Sequence, residues 1–324
     1  MRMARLPLLM LAAWALQAHP GGALAQAYPA KAIRFIVPFG PGGGADAMAR
    51  LIGTPFSERL GQPVVIENRG GAGGTIGAAL GAKAPPDGYT IVMASTNLAA
   101  APSLHGKLPF DPLKDFTAVT LLARTPSMIA VHPSLPVRSV KELIALARAR
   151  PGQINYAGGV GSTNHLDAEL FKSMAKVDIV QVPYNGTGAS LIGVVSGEAS
   201  VIIAPTLVVL PHVKSGRLRG LAAAAPQRLA SLPDLPTAAE AGVPGYTMSS
   251  WYGVFAPGGT PVAVVRRIHA EVNRAMELPE VKAQMAELGT DGARTPTPDA
   301  FGGMFRSEYA RYAKLVRDTG MKIE

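Results

Sequence analysis

The sequence contains no cysteine among its 324 residues. This absence excludes disulfides, thiolate-bound metal ions and a cysteine nucleophile. It also excludes a lipid-modified cysteine, so we expect the mature protein to diffuse freely. Charged residues are scarce too, at 16% of the chain, whereas 48% of the residues are hydrophobic. This composition predicts one large or two ordinary folded domains rather than disorder.

Beyond the N-terminus, the sequence also lacks an apolar run long enough to span a membrane. At the N-terminus, Arg2 and Arg5 accompany a short apolar stretch at 6–16, and small residues follow at 23–27. Because that stretch is shorter than the ~20 residues of a spanning helix, we interpret 1–27 as a signal peptide rather than a membrane anchor. We expect cleavage after Ala25 or Ala27 and a periplasmic location.

The chain is basic but has no block of basic residues. Its formal charge is +9, and removal of Arg2 and Arg5 with the signal peptide leaves +9 − 2 = +7. The remaining charges are scattered and aromatic residues make up only 6%, so the pattern disfavours a nucleic-acid partner. A mild positive field that attracts small anions fits better.

Apolar strands alternate with helices after residue 27, and corners rich in glycine and proline join them. The predicted strands are 32–39, 63–68, 89–95, 128–133, 153–159, 179–184, 200–205, 217–225 and 252–257. The predicted helices are 45–60, kinked or divided at Pro55, 75–83, 139–150 with Ser139 as N-cap, 164–176, 188–196, 261–277, 279–288 and 298–318. This alternation predicts an α/β fold with buried, mostly parallel strands.

The organisation favours two α/β lobes between which the chain crosses twice, near 123–127 and 222–228. We therefore predict one lobe from 28–124 plus 226–324 and a second lobe from 125–225. A single large doubly wound domain is the alternative, and no repeat of fixed period is present.

Four predicted strand-to-helix corners are rich in glycine and hydroxyl residues: 40–46, 95–97, 158–165 and 184–190. Ligands of parallel α/β sheets bind at the carboxyl ends of the strands. Helix N-termini at those ends offer free N–H groups and the positive end of a dipole. The corners therefore predict a cleft for an anion between the lobes, although each corner alone could be an ordinary tight turn.

Catalytic and cofactor patterns are weak. Gly42, Gly44 and Ala47 fit a relaxed dinucleotide fingerprint, and Glu67 lies at the end of the next strand, but Pro41 interrupts the turn and other registers fit as well. The sequence has no G-x-S-x-G elbow, no phosphate loop ending in G-K-[ST] and no H-E-x-x-H. We therefore predict no enzyme, no catalytic residue, no metal site and no cofactor.

Several segments resemble the Bug (Bordetella uptake gene) family, the TctC-like substrate-binding proteins of tripartite tricarboxylate transporters. They include "PFGPGGGADAMAR", "VIENRGGAGGTIGA", "PPDGYTIVMAST", "VPYNGTGAS" and "LPDLPTAAEAGVPGYTMSSWYGVFAPGGTP", and the resemblance runs from about Tyr28 to the C-terminus. It implies a two-lobed periplasmic binding protein fold of type II-like architecture. It further implies capture of a small carboxylate for the membrane components of such a transporter, or for a sensor. An exported α/β enzyme that uses the same cleft is a less favoured alternative.

The resemblance also implies a set of ligand-binding residues that grip the carboxylate through backbone N–H groups and polar side chains. We expect a monomer in which these residues are Phe39, Gly42, Gly43, Asp46, Ser95, Thr96, Asn97, Ser162, Thr163, His165, Tyr184, Gly186 and Thr187. From the residues alone, His165 could donate to the ligand or cap its helix, and Asp46 could touch the ligand or hold its loop.

Two positions depart from the family pattern. Ala204 and Pro205 stand where an acidic or amide residue is frequent, and Asn185 stands where a lysine is frequent. Without the acid, an amino-acid ligand loses a partner for its amine. The departures therefore favour a mono- or dicarboxylate, with an apolar or aromatic body.

Overall fold

The computed structural model describes residues 28–319. The predicted signal peptide and both cleavage positions lie outside the described residues. Among the described helices, none combines the length and the apolar character needed to span a membrane.

Ten strands and ten α-helices alternate along most of the described chain. The strands are β1 Ile33–Val37, β2 Val64–Asn68, β3 Thr90–Ser95, β4 Phe116–Val131, β5 Asn155–Gly159, β6 Val180–Tyr184, β7 Val201–Pro205, β8 Arg219–Ala223, β9 Ser249–Pro257 and β10 Asp291–Gly292. The helices are α1 Gly44–Leu60, α2 Thr75–Ala82, α3 Thr96–Leu104, α4 Val140–Ala149, α5 Thr163–Ala175, α6 Thr187–Val195, α7 Thr206–Lys214, α8 Val262–Met276, α9 Pro279–Glu287 and α10 Pro298–Thr319. A short 3₁₀ turn, Ala72–Gly74, precedes α2.

The strand order in the sheet is β2-β1-β3-β9-β4-β7-β5-β6. Strands β8 and β10 also pair with β4 but lie outside this order. The long strand β4 joins two groups of strands. Its first part pairs with β9 as far as Pro126, and its second part, from Ser127 onward, pairs with β7 and β8. We call β1, β2, β3, β9, β10 and the first part of β4 the first lobe, and the second part of β4 with β5 to β8 the second lobe.

The two-lobed α/β architecture is confirmed, but the prediction of mostly parallel strands is wrong. β1 is parallel to β2 and β3, and β5 is parallel to β6 and β7. β4 and β9, in contrast, are antiparallel to their neighbours. A continuous apolar run indicates that a strand is buried on both faces. It does not show whether the strand is parallel or antiparallel to its neighbours, and the prediction was wrong for this reason.

The sequence prediction gave no helix span for α3 or α7, although it placed a strand-to-helix corner at 95–97. In α3 every residue from Thr96 to Ala101 is buried, and in α7 every residue from Thr206 to Leu210 is buried. A helix buried all round has no amphipathic period, so the pattern that reveals surface helices is missing. The predicted strand at 128–133 is likewise only the end of the 16-residue β4.

Local capping behaves as the sequence predicts in α4. The Ser139 hydroxyl accepts a hydrogen bond from the Glu142 N–H at 3.1 Å, which satisfies one donor of the first turn. Helix α1 continues through Pro55 without division, so the predicted division does not occur and a kink at Pro55 stays a prediction.

The core of the second lobe includes residues that lie after β8 in the chain. Tyr246 and Met248 belong to the same buried cluster as Tyr156 and Phe171, and the rings of Phe171 and Tyr246 are 5.7 Å apart. The predicted lobe boundaries at 124/125 and 225/226 stay a prediction.

Candidate ligand-binding site

The N-termini of α1, α3, α5 and α6 meet at one cavity between the two lobes. The four predicted corners supply these helix starts, two from each lobe. The cavity, which we call the clamp, holds about 340 Å³ of atom-free space, part of it open to solvent. It is lined by Phe39, Gly40, Gly43, Gly44, Ala45, Ser95, Asn97, Ser162, Thr163, Gly186, Thr187 and Tyr252. No residue in this set carries a charge.

The four helix starts at the clamp are open to a ligand. Their N-cap residues are Gly43, Ser95, Ser162 and Gly186, and none of these accepts a hydrogen bond from its own helix through a side chain. The first N–H groups of a helix have no carbonyl partner within it. The start of α4 differs, because there the Ser139 side chain accepts a hydrogen bond from the first turn of its own helix. The clamp thus presents unpaired N–H donors and the N-terminal ends of four helix dipoles to an anion.

Asp46 fixes the shape of the glycine-rich loop that begins the clamp. Its carboxylate accepts hydrogen bonds from the Gly42 N–H at 3.0 Å, from Arg50 at 3.0 Å and from the Asn68 amide at 2.9 Å. Burial alone would raise the pKa of Asp46, but these hydrogen bonds together hold that pKa below its usual value. The carboxylate thus joins the glycine-rich loop to α1 and to the end of β2, which indicates a loop-holding role.

Asn164 holds the corners of the second lobe. Its amide oxygen accepts from the Gly159 N–H and from the Thr187 hydroxyl, each at 3.3 Å, and it contacts the Ser162 hydroxyl. Its amide nitrogen donates to the Ala157 carbonyl at 3.2 Å. One fully buried side chain therefore joins the β5–α5 corner to the start of α6.

His165 braces the same corner. Its Nδ1 accepts a hydrogen bond from the Gly161 N–H at 3.4 Å, which requires the neutral ring with its proton on Nε2. Burial lowers the pKa of His165, and Lys172 lowers it further while Glu169 opposes them. The ring is therefore neutral at neutral pH.

Tyr252 on β9 reaches the clamp although the sequence did not single it out. Its hydroxyl lies against Gly44, where a β-carbon would overlap it, and the residue is only 3% exposed. Burial raises the pKa of Tyr252 far above neutrality, so the phenol remains a neutral donor. The strand pattern of 252–257 contains no signal that distinguishes this tyrosine from a core aromatic.

The predicted site residues divide into two sets. Eight line the clamp: Phe39, Gly43, Ser95, Asn97, Ser162, Thr163, Gly186 and Thr187. The other five, Gly42, Asp46, Thr96, His165 and Tyr184, are not among the lining residues. The Thr96 hydroxyl accepts from the Trp251 N–H at 3.1 Å, and the Tyr184 hydroxyl lies against Gly193 of α6.

The two lobes touch across the clamp. The Asn97 amide of the first lobe donates to the Gly161 carbonyl of the second lobe at 2.6 Å. Gly188 of α6 in the second lobe also packs directly on the backbone of Pro41 and Gly42 in the first lobe. The structure is therefore the closed arrangement of the lobes.

Comparison with known proteins identifies the family. Residues 48–321 match the model of the tripartite tricarboxylate transporter family receptor. The chain belongs to this receptor family. Its relatives include Protein BugT of Bordetella pertussis, which is 38% identical over 93% of this chain and 93% of BugT.

Solved structures of other receptors share the fold. The periplasmic binding protein BugD is 29% identical, with a TM-score of 0.87 over 91% of this chain and all of BugD. R. palustris Rpa4515 with adipate is 37% identical, with a TM-score of 0.87 over 90% of this chain and 98% of Rpa4515. MatC from Rhodopseudomonas palustris with bound malate is 33% identical, with a TM-score of 0.85 over 89% of this chain and all of MatC. The receptor described here therefore has the periplasmic binding protein fold.

Proposed function

We propose that this receptor captures a small carboxylate in the clamp, in the periplasm, and delivers it to the membrane components of a tripartite tricarboxylate transporter. The observation that carries the proposal is the convergence of four uncapped helix N-termini on a cavity without charged side chains. Such termini bind anions through N–H groups and dipoles.

The carboxylate would replace its hydration with donors from both lobes. First-turn N–H groups of α1 and α3 would serve from one lobe, and those of α5 and α6 from the other. Hydroxyl groups of Thr163 and Tyr252 lie at the same cavity. An anion that contacts both lobes binds the closed form better than an open one, and this difference drives closure.

The comparisons support a carboxylate, since Rpa4515 holds adipate and MatC holds malate. The clamp offers little for catalysis. His165, a plausible general base, accepts the Gly161 N–H on Nδ1, and no carboxylate side chain lines the clamp. A binding function therefore fits the residues better than turnover.

A thermal-shift screen of carboxylates tests the proposal. A ligand present at 100 times its Kd is expected to stabilise the receptor by about 2.7 kcal/mol. Neutral amides of the same acids serve as controls and should shift melting far less. If nicotinamide nucleotides raise the melting temperature and no carboxylate does, the proposal is wrong.

A further inference from the structure

A second cavity, which we call the chamber, lies beside the clamp in the first lobe. It holds about 320 Å³ of atom-free space, part of it open to solvent. The two cavities share Phe39, Ser95 and Asn97, so a ligand held in the clamp can extend into the chamber.

The chamber wall is apolar. Its side chains include those of Ala78, Val92, Ala94, Leu98, Ala101 and Phe110, all of them buried. No lining residue carries a charge. Removal of an apolar group from water into such a space is favourable by about 25 cal/mol per Å² of buried surface.

The polar side chains of the chamber already have partners within the protein. The Asn97 amide nitrogen donates to Gly161, and the Ser95 hydroxyl donates to the Asn97 amide oxygen at 3.3 Å. The Thr75 hydroxyl donates to the Ala72 carbonyl at 2.8 Å. None of these donors is left for a second anionic group.

The helix start beside the chamber is preceded by a 3₁₀ turn. This turn occupies two donors, because the Gly74 N–H bonds to the Gly71 carbonyl and the Thr75 N–H to the Ala72 carbonyl. A carboxylate that entered the chamber would lose its hydration and find no cation and few donors, which is costly.

We propose that the ligand of this receptor is a monocarboxylate with an apolar body. Its single carboxylate lies in the clamp, and its hydrocarbon chain or ring fills the chamber. The inference rests on the proposed function and narrows it, since it excludes ligands that carry a second charge at the far end.

Calorimetric titration of the receptor with paired acids tests the proposal. Across straight-chain monocarboxylates, Kd should fall about fourfold per added methylene until the chamber is full. Hexanoate should bind more than about tenfold tighter than adipate, which has a second carboxylate on the same chain length.

A flat chain-length series, or adipate binding tighter than hexanoate, would overturn the proposal while leaving carboxylate capture intact. If neither monocarboxylates nor dicarboxylates bind, the proposed function itself fails, so the two failures are distinguishable.

A matched pair of variants locates the hydrocarbon. Ala78→Leu fills the chamber, whereas Ala79→Leu on the same helix adds the same atoms outside its lining. Ala78→Leu should reduce the ratio of hexanoate to acetate affinity about tenfold, and Ala79→Leu should leave the ratio unchanged. If both variants change the ratio of hexanoate to acetate affinity equally, the hydrocarbon does not lie in the chamber. If Ala78→Leu does not fold, Leu98→Ala should extend the chain-length optimum to longer acids.

Discussion

Asp46 was ambiguous in the sequence, and its contacts favour one of the two interpretations. From the sequence, the Asp46 carboxylate could touch the ligand or hold its own loop. In the structure it joins the Gly42 N–H to Arg50 and Asn68. These groups prearrange the clamp for an anion.

We predict that Asp46→Ala lowers the free energy of unfolding by ~2 kcal/mol, because three hydrogen bonds to a charged group are lost. Urea denaturation measures this change. Arg50→Gln is the control and should cost less than ~1 kcal/mol, since the Arg50 side chain is 56% exposed. Loss of carboxylate binding with unchanged stability would instead place Asp46 in contact with the ligand.

Tyr252→Phe should weaken carboxylate binding by about tenfold or more, because a hydrogen bond from a neutral hydroxyl to a charged group is worth about 1.5–3 kcal/mol. Titration calorimetry measures the affinity. Tyr246→Phe is the matched control: its hydroxyl donates to the Asp167 carbonyl at 2.7 Å, away from the clamp. That variant should lower stability and leave the affinity unchanged. Equal affinities for both variants would exclude a ligand contact by Tyr252.

At the level of elements, the sequence predicted the four corners but not what all of their residues do. Glycine-rich turns after apolar strands mark where helices begin, and this local chemistry is readable. The division between residues that line the clamp and residues that brace it depends on contacts far apart in the chain. Asn68 reaches Asp46, and Trp251 donates to Thr96.

The start of α6 provides a direct test of lobe closure. A β-carbon at Gly188 would overlap the Pro41 carbonyl and lie 3.0 Å from the Gly43 nitrogen. Gly188→Ala should therefore destabilise the closed form and weaken ligand binding by more than about tenfold, with little effect on the stability of the ligand-free protein.

Gly106→Ala is the control for this variant, because no atom lies within 4 Å of a β-carbon built there. Small-angle scattering with and without ligand reports closure. If the Gly188→Ala protein still contracts on ligand addition with unchanged affinity, the contact between α6 and the Pro41 loop is not required for closure.

At the level of the whole molecule, the two lobes are joined through β4, and a buried carboxyl group lies at the point where this strand changes partners. Asp167 on α5 is 3% exposed and contacts the Ser127 hydroxyl. Burial raises the pKa of Asp167 to about 7, although Ser127 and Arg311 oppose the increase.

This pKa predicts a pH dependence of stability. Between about pH 4 and pH 7 the folded protein binds more protons at Asp167 than the unfolded chain, whose value is ~3.9. The stabilisation that protonated Asp167 gives the folded protein is therefore fully present below about pH 4 and is lost as the pH rises through 7. The free energy of unfolding falls with a slope of at most ~1.4 kcal/mol per pH unit. Asp167→Asn should remove this slope in denaturation experiments between pH 5 and pH 8. If the unsubstituted protein and Asp167→Asn show parallel profiles of stability against pH, the pH dependence does not come from Asp167.

The α/β class and the two lobes could be predicted because alternation and glycine corners are local features of the sequence. Strand direction could not, since β9 joins β3 and β4 only after more than 100 intervening residues. The chamber could not be predicted either, because Ala78, Ala94 and Phe110 come from three separate segments. Their shared space exists only after the sheet has formed.

In the proposed mechanism, helix N-termini hold a carboxylate between the lobes without the help of a charged side chain. Calorimetric titration with hexanoate and with hexanamide tests it most directly, because the two molecules share a chain and differ in charge. We predict that hexanoate binds and that hexanamide binds more than about a hundredfold more weakly. Equal affinity of the two, or binding of hexanamide alone, would contradict the account.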